Sequence, residues 1–227
     1  MIKTSDTVGL VLAGGKSSRM GRDKALLSWQ GKPLYRHMAD ILTNSGVDHV
    51  LYSSGERSSS ERSSSEKPGR EWADEQTISD IISDRGPLGG IHAVIAELPD
   101  QVNLVVVPVD MPLLPEACCR LLMNDQKLAT EQPVPVCFEN YTLPMVFPVN
   151  KALREQVSKA INSSSHRDYS LRNLHRALNG EYQALPADYE DFFQNTNTPE
   201  DWRSALSRKA HCPESELSRK VHCPDSL

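Results

Sequence analysis

Near its start the chain combines glycines with basic side chains in a spacing that can bind a polyphosphate. Residues 8–12 form an apolar run that ends at Ala13, Gly14 and Gly15. Because glycine has no Cβ, the backbone can turn sharply there and bring its N–H groups close to an anion. Basic residues follow closely: Lys16, Arg19, Arg22 and Lys24. We therefore expect the backbone of Gly14 and Gly15, together with Arg19, to hold a triphosphate, and Lys24 to reach its oxygens as a compact cation.

Two common phosphate-binding motifs do not fit this segment. The P-loop pattern G-x-x-x-x-G-K-[ST] could end at Gly15-Lys16-Ser17, but its first glycine would then fall on Leu10. The dinucleotide pattern G-x-G-x-x-G also fails, because the glycines here stand at positions 14, 15 and 21. The loop that remains reads L-A-G-G-x-S-x-R-M-G-x-D-K and runs from Leu12 to Lys24.

Asp110 is the second candidate functional residue. It follows residues 102–109, an almost continuously apolar run that is typical of a central parallel strand. In open α/β sheets ligands collect beyond the carboxyl ends of the strands, so we expect Asp110 to face the same crevice as the loop after Leu12. Mg²⁺ favours one or two carboxylates together with phosphates. Asp110 is therefore the predicted metal ligand.

The elements that must position these residues alternate along the chain as in an α/β protein. The patterns predict strands at 8–12, 49–53, 102–109, 133–138, 143–149 and 181–185, a brief strand or turn at 78–84, and strand-like character at 192–193. They predict helices at 33–44, 91–98, 115–128, 150–161, 168–178 and 198–206. Residues 133–138 and 143–149 could form a hairpin, and their prolines predict that both strands lie at edges or are interrupted.

Two segments differ in composition from the rest. Residues 54–70 are serine-rich, with almost no apolar side chain, and predict a flexible loop. The tail at 207–227 repeats Ser-Arg-Lys-x-His-Cys-Pro, and its adjacent His-Cys pairs do not match the usual zinc spacings. We therefore expect one domain at 1–206 that contains the loop, followed by a duplicated tail that we expect to be disordered.

Composition narrows the function classes. The 227 residues carry a formal net charge of −5, so the surface as a whole should repel nucleic acid and anionic membranes. Neither a signal peptide nor a membrane span is apparent, and five cysteines in a chain of this length do not indicate a disulfide framework. A cytoplasmic protein is expected, without nucleic-acid or membrane partners.

The loop from Leu12 to Lys24 resembles the signature loop of nucleotidyltransferases, and most closely that of the molybdenum cofactor guanylyltransferases. The resemblance covers most of residues 8–205. It implies a Rossmann-like three-layer nucleotidyltransferase fold with a mostly parallel central sheet. It also implies that GMP passes from GTP to the terminal phosphate of molybdenum-molybdopterin, and that pyrophosphate is released.

The resemblance also implies roles for individual residues. Leu12, Ala13, Gly14, Lys24, Asp84 and Asp110 correspond to GTP-binding positions, and Asp110 binds Mg²⁺. Together with the reading of the loop itself, this makes Lys24, Asp110 and Arg19 the predicted catalytic residues and adds Gly15 to the GTP site. Asn195 and Asn197 are expected to support the metal or the pterin substrate, and Arg167 to lie near the pterin phosphate. The sequence departs from the family pattern at two places, where Ser53 stands for an asparagine and Gly89 for an alanine.

Other readings stay open. A relative of the same fold could use CTP, although cytidylyl enzymes usually carry Ala-Ala-Gly where this chain has Ala13-Gly14-Gly15, or it could act on a sugar phosphate. A non-catalytic carrier of molybdopterin or nucleotide is a reading of another class, against which Lys24 and Asp110 speak. We expect a monomer that contacts molybdoenzymes or other cofactor-biosynthesis proteins transiently.

Overall fold

The computed structural model describes residues 2–14, 23–54, 77–82, 84–128 and 133–209. The strands are β1 (Thr7–Leu12), β2 (Ser28–Trp29), β3 (Lys32–Pro33), β4 (His49–Ser53), β5 (Thr77–Ile78), β6 (Asn103–Pro108), β7 (Val136–Phe138), β8 (Met145–Pro148) and β9 (Glu181–Gln183). The helices are α1 (Leu34–Asn44), α2 (Pro87–Glu97), α3 (Glu116–Leu128), α4 (Lys151–Ile161), α5 (Leu171–Ala177) and α6 (Pro199–Lys209). Short 3-10 turns occupy Lys24–Leu26, His166–Tyr169 and Ala187–Phe192. Most of the predicted loop at 54–70 and of the tail at 207–227 lies outside the described residues.

Seven strands form one sheet in the order β5-β4-β1-β6-β8-β7-β9. Neighbours pair in parallel except where β8 meets β6 and β7, so β8 alone runs against the other strands of this sheet. One apolar core lies between the sheet and helices α1, α3 and α6, and a second lies between the sheet and α2, α4 and α5. The predicted α/β fold with three layers and a mostly parallel sheet is confirmed.

The continuous apolar runs lie at the centre of the sheet. All six residues of β1 are buried, and side chains of β1 alternate between the two cores, with Leu10 and Leu12 in one and Val11 in the other. A strand that is covered on both faces must be apolar at every position, because each side chain meets a helix layer. Within the described ranges, no helix is both long and apolar enough to span a bilayer.

The expected hairpin is confirmed; of the two alternatives predicted from its prolines, the edge placement is wrong, whereas both strands are cut short at a proline. β7 and β8 pair antiparallel, yet β8 lies between β6 and β7, and β7 lies between β8 and β9. The prolines are tolerated in the interior because they stand at the strand ends, where Pro135 and Pro144 precede β7 and β8 and Pro148 ends β8. The strand-like prediction at 192–193 is also wrong, since Phe192 ends a 3-10 turn.

Candidate active site

The parallel register brings three strand ends to one level at the carboxyl edge of the sheet. Leu12 of β1 pairs with Ser53 of β4 on one side and with Pro108 of β6 on the other. Just beyond, the Ala13 amide donates to the Ser53 carbonyl at 3.0 Å, and the Val109 amide donates to the Leu12 carbonyl at 3.2 Å. The first residue of the glycine-rich loop and the residue before Asp110 are therefore held side by side.

Lys24 and Asp110 meet at this edge. The Asp23 carboxylate accepts from the Ala25 amide at 3.0 Å and caps the 3-10 turn that carries Lys24. The Lys24 ammonium lies 3.7 Å from the Asp110 carboxylate, and the two side chains are 17% and 23% exposed. The same ammonium donates a hydrogen bond of 2.6 Å to the side-chain oxygen of Asn197. Three predicted site residues thus form one cluster, the Lys24–Asp110–Asn197 cluster.

Asn197 is positioned by the start of helix α6. The Thr198 hydroxyl accepts from the Asp201 amide at 3.1 Å, while the Asp201 carboxylate accepts from the Thr198 amide at 2.8 Å and from the Asn197 amide at 3.0 Å. These reciprocal bonds are a capping box, which confirms the predicted start of this helix. In addition, the Thr196 amide donates to the Asp110 carbonyl at 2.7 Å, so the segment before α6 is tied directly to the end of β6.

The Asp110 carboxylate is partly buried and therefore poorly hydrated. Burial raises the pKa of its carboxyl group, and the nearby Lys24 ammonium opposes that rise without cancelling it. An ionised carboxylate in this position gains from any further cation beside it, because the cation offsets the lost hydration. Among the described residues, His, Cys, Asp and Glu side chains nowhere gather in threes around a space suited to a metal ion. Asp110 therefore fits a divalent ion that takes its other ligands from a bound substrate and from water.

A second polar group lies beside β1 on the opposite side from Asp110. The Ser53 hydroxyl, which is buried, donates to the Asp80 carboxylate at 3.0 Å. Helix α2 passes close above, and a Cβ added to Gly90 would contact Ser53 Oγ and lie 2.7 Å from Ser53 Cβ. A Cβ added to Gly89 would lie 2.7 Å from Asp80 Oδ2. Glycine at positions 89 and 90 thus lets helix α2 approach the carboxyl end of β4 closely.

Gly90→Ala is expected to lower the free energy of unfolding by about 1–3 kcal/mol, because the new methyl group forces Ser53 and the end of β4 to move. Gly89→Ala is the matched control on the same helix. It should cost less, since its nearest contact, Asp80 Oδ2 at 2.7 Å, is longer than the contact that a Cβ at position 90 would make with Ser53 Oγ. Denaturant unfolding of both variants checks this. Equal stability of the two would contradict the close packing of α2 on β4.

The other predicted site residues are more scattered. Leu12 and Ala13 are buried at the strand end and Gly14 is exposed just beyond, whereas Gly15 and Arg19 lie outside the described residues. Asp84 is exposed in a turn with φ of +56°, Arg167 is exposed in a 3-10 turn, and Asn195 is exposed before α6. Their proposed roles stay predictions.

Sequence reasoning missed Asp80 and Thr196. The signal for Asp80 was available, because it stands two residues past the end of β5, just as Asp110 stands two residues past the end of β6. A carboxylate at that offset from a parallel strand reaches the ligand edge. Thr196 had no such signal, since its contact with Asp110 joins distant parts of the chain.

The fold and the residues at the carboxyl edge of its sheet define the class of protein. A molybdopterin-guanine dinucleotide biosynthesis protein A from Archaeoglobus fulgidus superposes with a TM-score of 0.68 at 19% identity, over 90% of this chain and 100% of that one. A nucleotidyl transferase from Methanothermobacter superposes with a TM-score of 0.65 at 13% identity, over 91% of this chain and 98% of that one. The protein thus has the nucleotidyltransferase fold.

Sequence comparison identifies the family. The family model described as a MobA-like NTP transferase domain matches residues 9–181. The molybdenum cofactor guanylyltransferase of Xanthomonas euvesicatoria pv. vesicatoria is 41% identical over 194 residues, which cover 86% of this chain and 91% of that protein. The chain belongs to the MobA-like NTP transferase family and is a nucleotidyltransferase, which confirms both the resemblance and the predicted enzyme class.

Proposed function

We propose that the protein transfers GMP from GTP to the terminal phosphate of molybdenum-bound molybdopterin and releases pyrophosphate. The observation that carries this proposal is the Lys24–Asp110–Asn197 cluster at the carboxyl edge, beside the glycine-rich loop. The name of the Xanthomonas relative supports the choice of both substrates.

The reaction requires the protein mainly to position the two substrates and to neutralise their negative charge. An oxygen of the acceptor phosphate attacks the α-phosphorus of GTP, a new P–O bond forms, and the bond from that phosphorus to the oxygen bridging to the β-phosphate breaks. The leaving pyrophosphate takes the electron pair. Because the attacking oxygen is already anionic, no strong general base is needed. Catalysis then depends on holding the two substrates in line and on neutralising their negative charge.

Lys24 is suited to that neutralisation. Its ammonium is a compact cation at the strand edge, and the bond to Asn197 fixes its direction before any substrate arrives. Pre-organised charge stabilises a transition state better than charge that must reorient. In the proposal, the backbone from Leu12 to Gly15 and the side chain of Arg19 hold the remaining phosphate oxygens.

Asp110 is the proposed ligand of Mg²⁺. Its carboxylate lies at the strand edge beside the Lys24 ammonium, and one such carboxylate together with phosphate oxygens is a ligand set that Mg²⁺ favours. When bound, Mg²⁺ supplies positive charge that neutralises oxygens around the reacting phosphorus. The Asp110 carboxylate itself orients that charge, and the Thr196 bonds hold the Asp110 backbone in place.

Asp80 is the group that we propose for recognition of the base. A carboxylate accepts two hydrogen bonds from the adjacent N1–H and amino group of guanine, whereas cytosine offers one donor next to an acceptor. The Ser53 hydroxyl holds this carboxylate at the end of β4, where the family pattern has an asparagine. Because Ser53 already donates to Asp80, it acts here through Asp80 rather than on the base.

The test is turnover with GTP and CTP in parallel, with molybdenum-molybdopterin as acceptor and with Mg²⁺ present or absent. We expect release of pyrophosphate with GTP and Mg²⁺ only. In Asp80→Asn the preference for GTP should fall about tenfold to about a hundredfold, because an amide can pair with either base. Equal turnover of both nucleotides by the unmodified protein would defeat the guanine assignment. Nucleotide binding without turnover would favour a carrier.

A further inference from the structure

A cavity of about 370 Å³ opens at the carboxyl edge, among residues of β7, β8, β9 and α5. Its lining includes Cys137, Glu139, Tyr141, Arg172, His175 and Tyr182. Cavities of this size, with apolar walls and a few polar groups, are typical of small-molecule sites. The proposed roles of Lys24, Asp110 and Asp80 make no use of it.

The floor of the cavity is apolar, and one of its walls is aromatic. Cys137 and Met145 are buried beneath it, and burial raises the pKa of the Cys137 thiol to about 11, so the thiol is uncharged at neutral pH. The His175 ring packs on the Tyr182 ring with 4.6 Å between centroids, and Tyr182 is nevertheless 54% exposed. Such a surface suits the face of an aromatic heterocycle.

The uncharged His175 imidazole forms one wall of the cavity. Its Nε2–H donates to the Glu181 carbonyl at 3.0 Å, its buried Nδ1 has no partner among the described residues, and burial lowers its pKa. The ring fits only because residue 180 is glycine, since a Cβ there would overlap the imidazole. The aromatic wall is therefore built into the α5–β9 connection.

One acidic and one basic side chain, Glu139 and Arg172, also line the cavity. Within the described ranges, the side chains of Glu139 and Arg172 make neither a hydrogen bond nor an ion pair. Arg172 nevertheless lines the same cavity as Cys137, and its positive charge lowers the pKa of that thiol against the effect of burial. A carboxylate can accept from the adjacent N–H and amino groups of a 2-amino-4-oxopyrimidine edge, and a guanidinium can bind an anionic arm.

The cavity also lies at the same edge of the sheet as Asp110. β8 is antiparallel, so its first residue, Met145, is level with the carboxyl-end side of β6 and β7, where it pairs with Val106 and Cys137. β7 is two strand spacings from β6, or roughly 10 Å. The nucleotide groups after β1 and β4 lie on the opposite side of β6. In strand order, Asp110 therefore lies between the two groups of residues.

We propose that this cavity binds the pterin ring of the acceptor, stacked on Tyr182 with Glu139 on its 2-amino-4-oxo edge and Arg172 on its anionic arm. The assignment rests on the proposed function and adds the place of the second substrate. In strand order it puts donor and acceptor on opposite sides of Asp110, so that their reacting groups can meet at the proposed metal ligand.

The test uses the full chain and the variants Tyr182→Ala and Glu139→Gln, with Arg176→Ala as control. Arg176 is exposed on the same helix, where it bonds to Asn173 at 2.9 Å. We expect the acceptor KM to rise about tenfold or more in both variants, with the KM for GTP unchanged, because one variant loses the stacking ring and the other loses the carboxylate at the edge of the pterin. The control should match the unmodified protein. An unchanged acceptor KM in both variants would overturn the proposal.

A binding measurement separates this proposal from the proposed reaction. The fluorescence of 6-hydroxymethylpterin is titrated with the full chain in the absence of GTP, and guanosine is added as a competitor. Weaker pterin binding by Tyr182→Ala, with no competition from guanosine, supports the cavity even if GMP transfer fails. Displacement of the pterin by guanosine would overturn the assignment, since the shared ring edge would then belong to the nucleotide. Normal transfer with unaltered pterin binding by both variants would leave the reaction intact and refute the cavity.

Discussion

Asp110→Asn is expected to lower kcat for GMP transfer by about a thousandfold, or about 4 kcal/mol in activation free energy. The substitution keeps the shape of the side chain but removes the charge that we propose to hold the divalent ion. Residual activity should no longer depend on the Mg²⁺ concentration. The measurement is initial-rate pyrophosphate release over a range of Mg²⁺ concentrations. Unchanged activity would remove Asp110 from the proposed role.

A measurement of thermal stability is the control for Asp110→Asn. Burial raises the folded-state pKa of Asp110 above its unfolded value near 3.8, so the folded protein binds the proton more tightly than the unfolded chain does. The stability that this group contributes is greatest below pH 3.8 and is lost as the pH rises through the folded-state pKa. At neutral pH, Asp110→Asn should therefore unfold at a temperature no lower than the unmodified protein. A clearly lower Tm would mean that Asp110 is needed for folding.

Lys24→Met should lower kcat about a hundredfold, because it removes a positioned cation from the phosphates while keeping the unbranched stem. Lys32→Met is the matched control. Lys32 is 62% exposed and pairs with Asp40 at 2.7 Å, so its loss should leave turnover unchanged. The comparison by steady-state kinetics separates a local effect from the general loss of one positive charge. Similar rates in both variants would contradict the proposed role of Lys24.

Two further variants examine how Lys24 is positioned. Lys24→Arg should not restore full activity, because a planar guanidinium cannot reproduce the compact ammonium that bonds to Asn197. Asn197→Ala should have a smaller effect than Lys24→Met, and combining the two should add little, since both remove the same interaction. Fully additive effects would show that Asn197 acts independently of Lys24.

Much of the fold is readable from local pattern. The apolar runs of β1 and β6 predict strands covered on both faces, and both lie at the centre of the sheet. Thr198, Pro199 and Asp201 predict the start of α6, and the capping bonds form as expected. Asp110 and the loop after Leu12 are expected at one edge because parallel strands bring their carboxyl ends together. These properties depend on residues close in sequence or on a general rule of sheet topology.

The prolines around β7 and β8 show where such patterns mislead. Proline is disfavoured within a central strand because it lacks an N–H, and this predicts edge strands. The sheet instead inserts β8 in reverse between β6 and β7, and the strands are short enough that their prolines fall at or beyond the ends. Strand order is set by packing across the whole sheet, which no local pattern encodes.

The sequence alone determines the α/β alternation, the glycine-rich loop and the chemical types of the catalytic candidates. Only the tertiary structure joins Lys24 to Asn197 across 173 positions, places Asp80 rather than Asp84 beside Ser53, and forms the cavity between α5 and the strands β7 and β9. The physical reason is that hydrophobic periodicity and capping act over a few residues. The contacts that assemble a site depend instead on strand register and on how distant loops pack together.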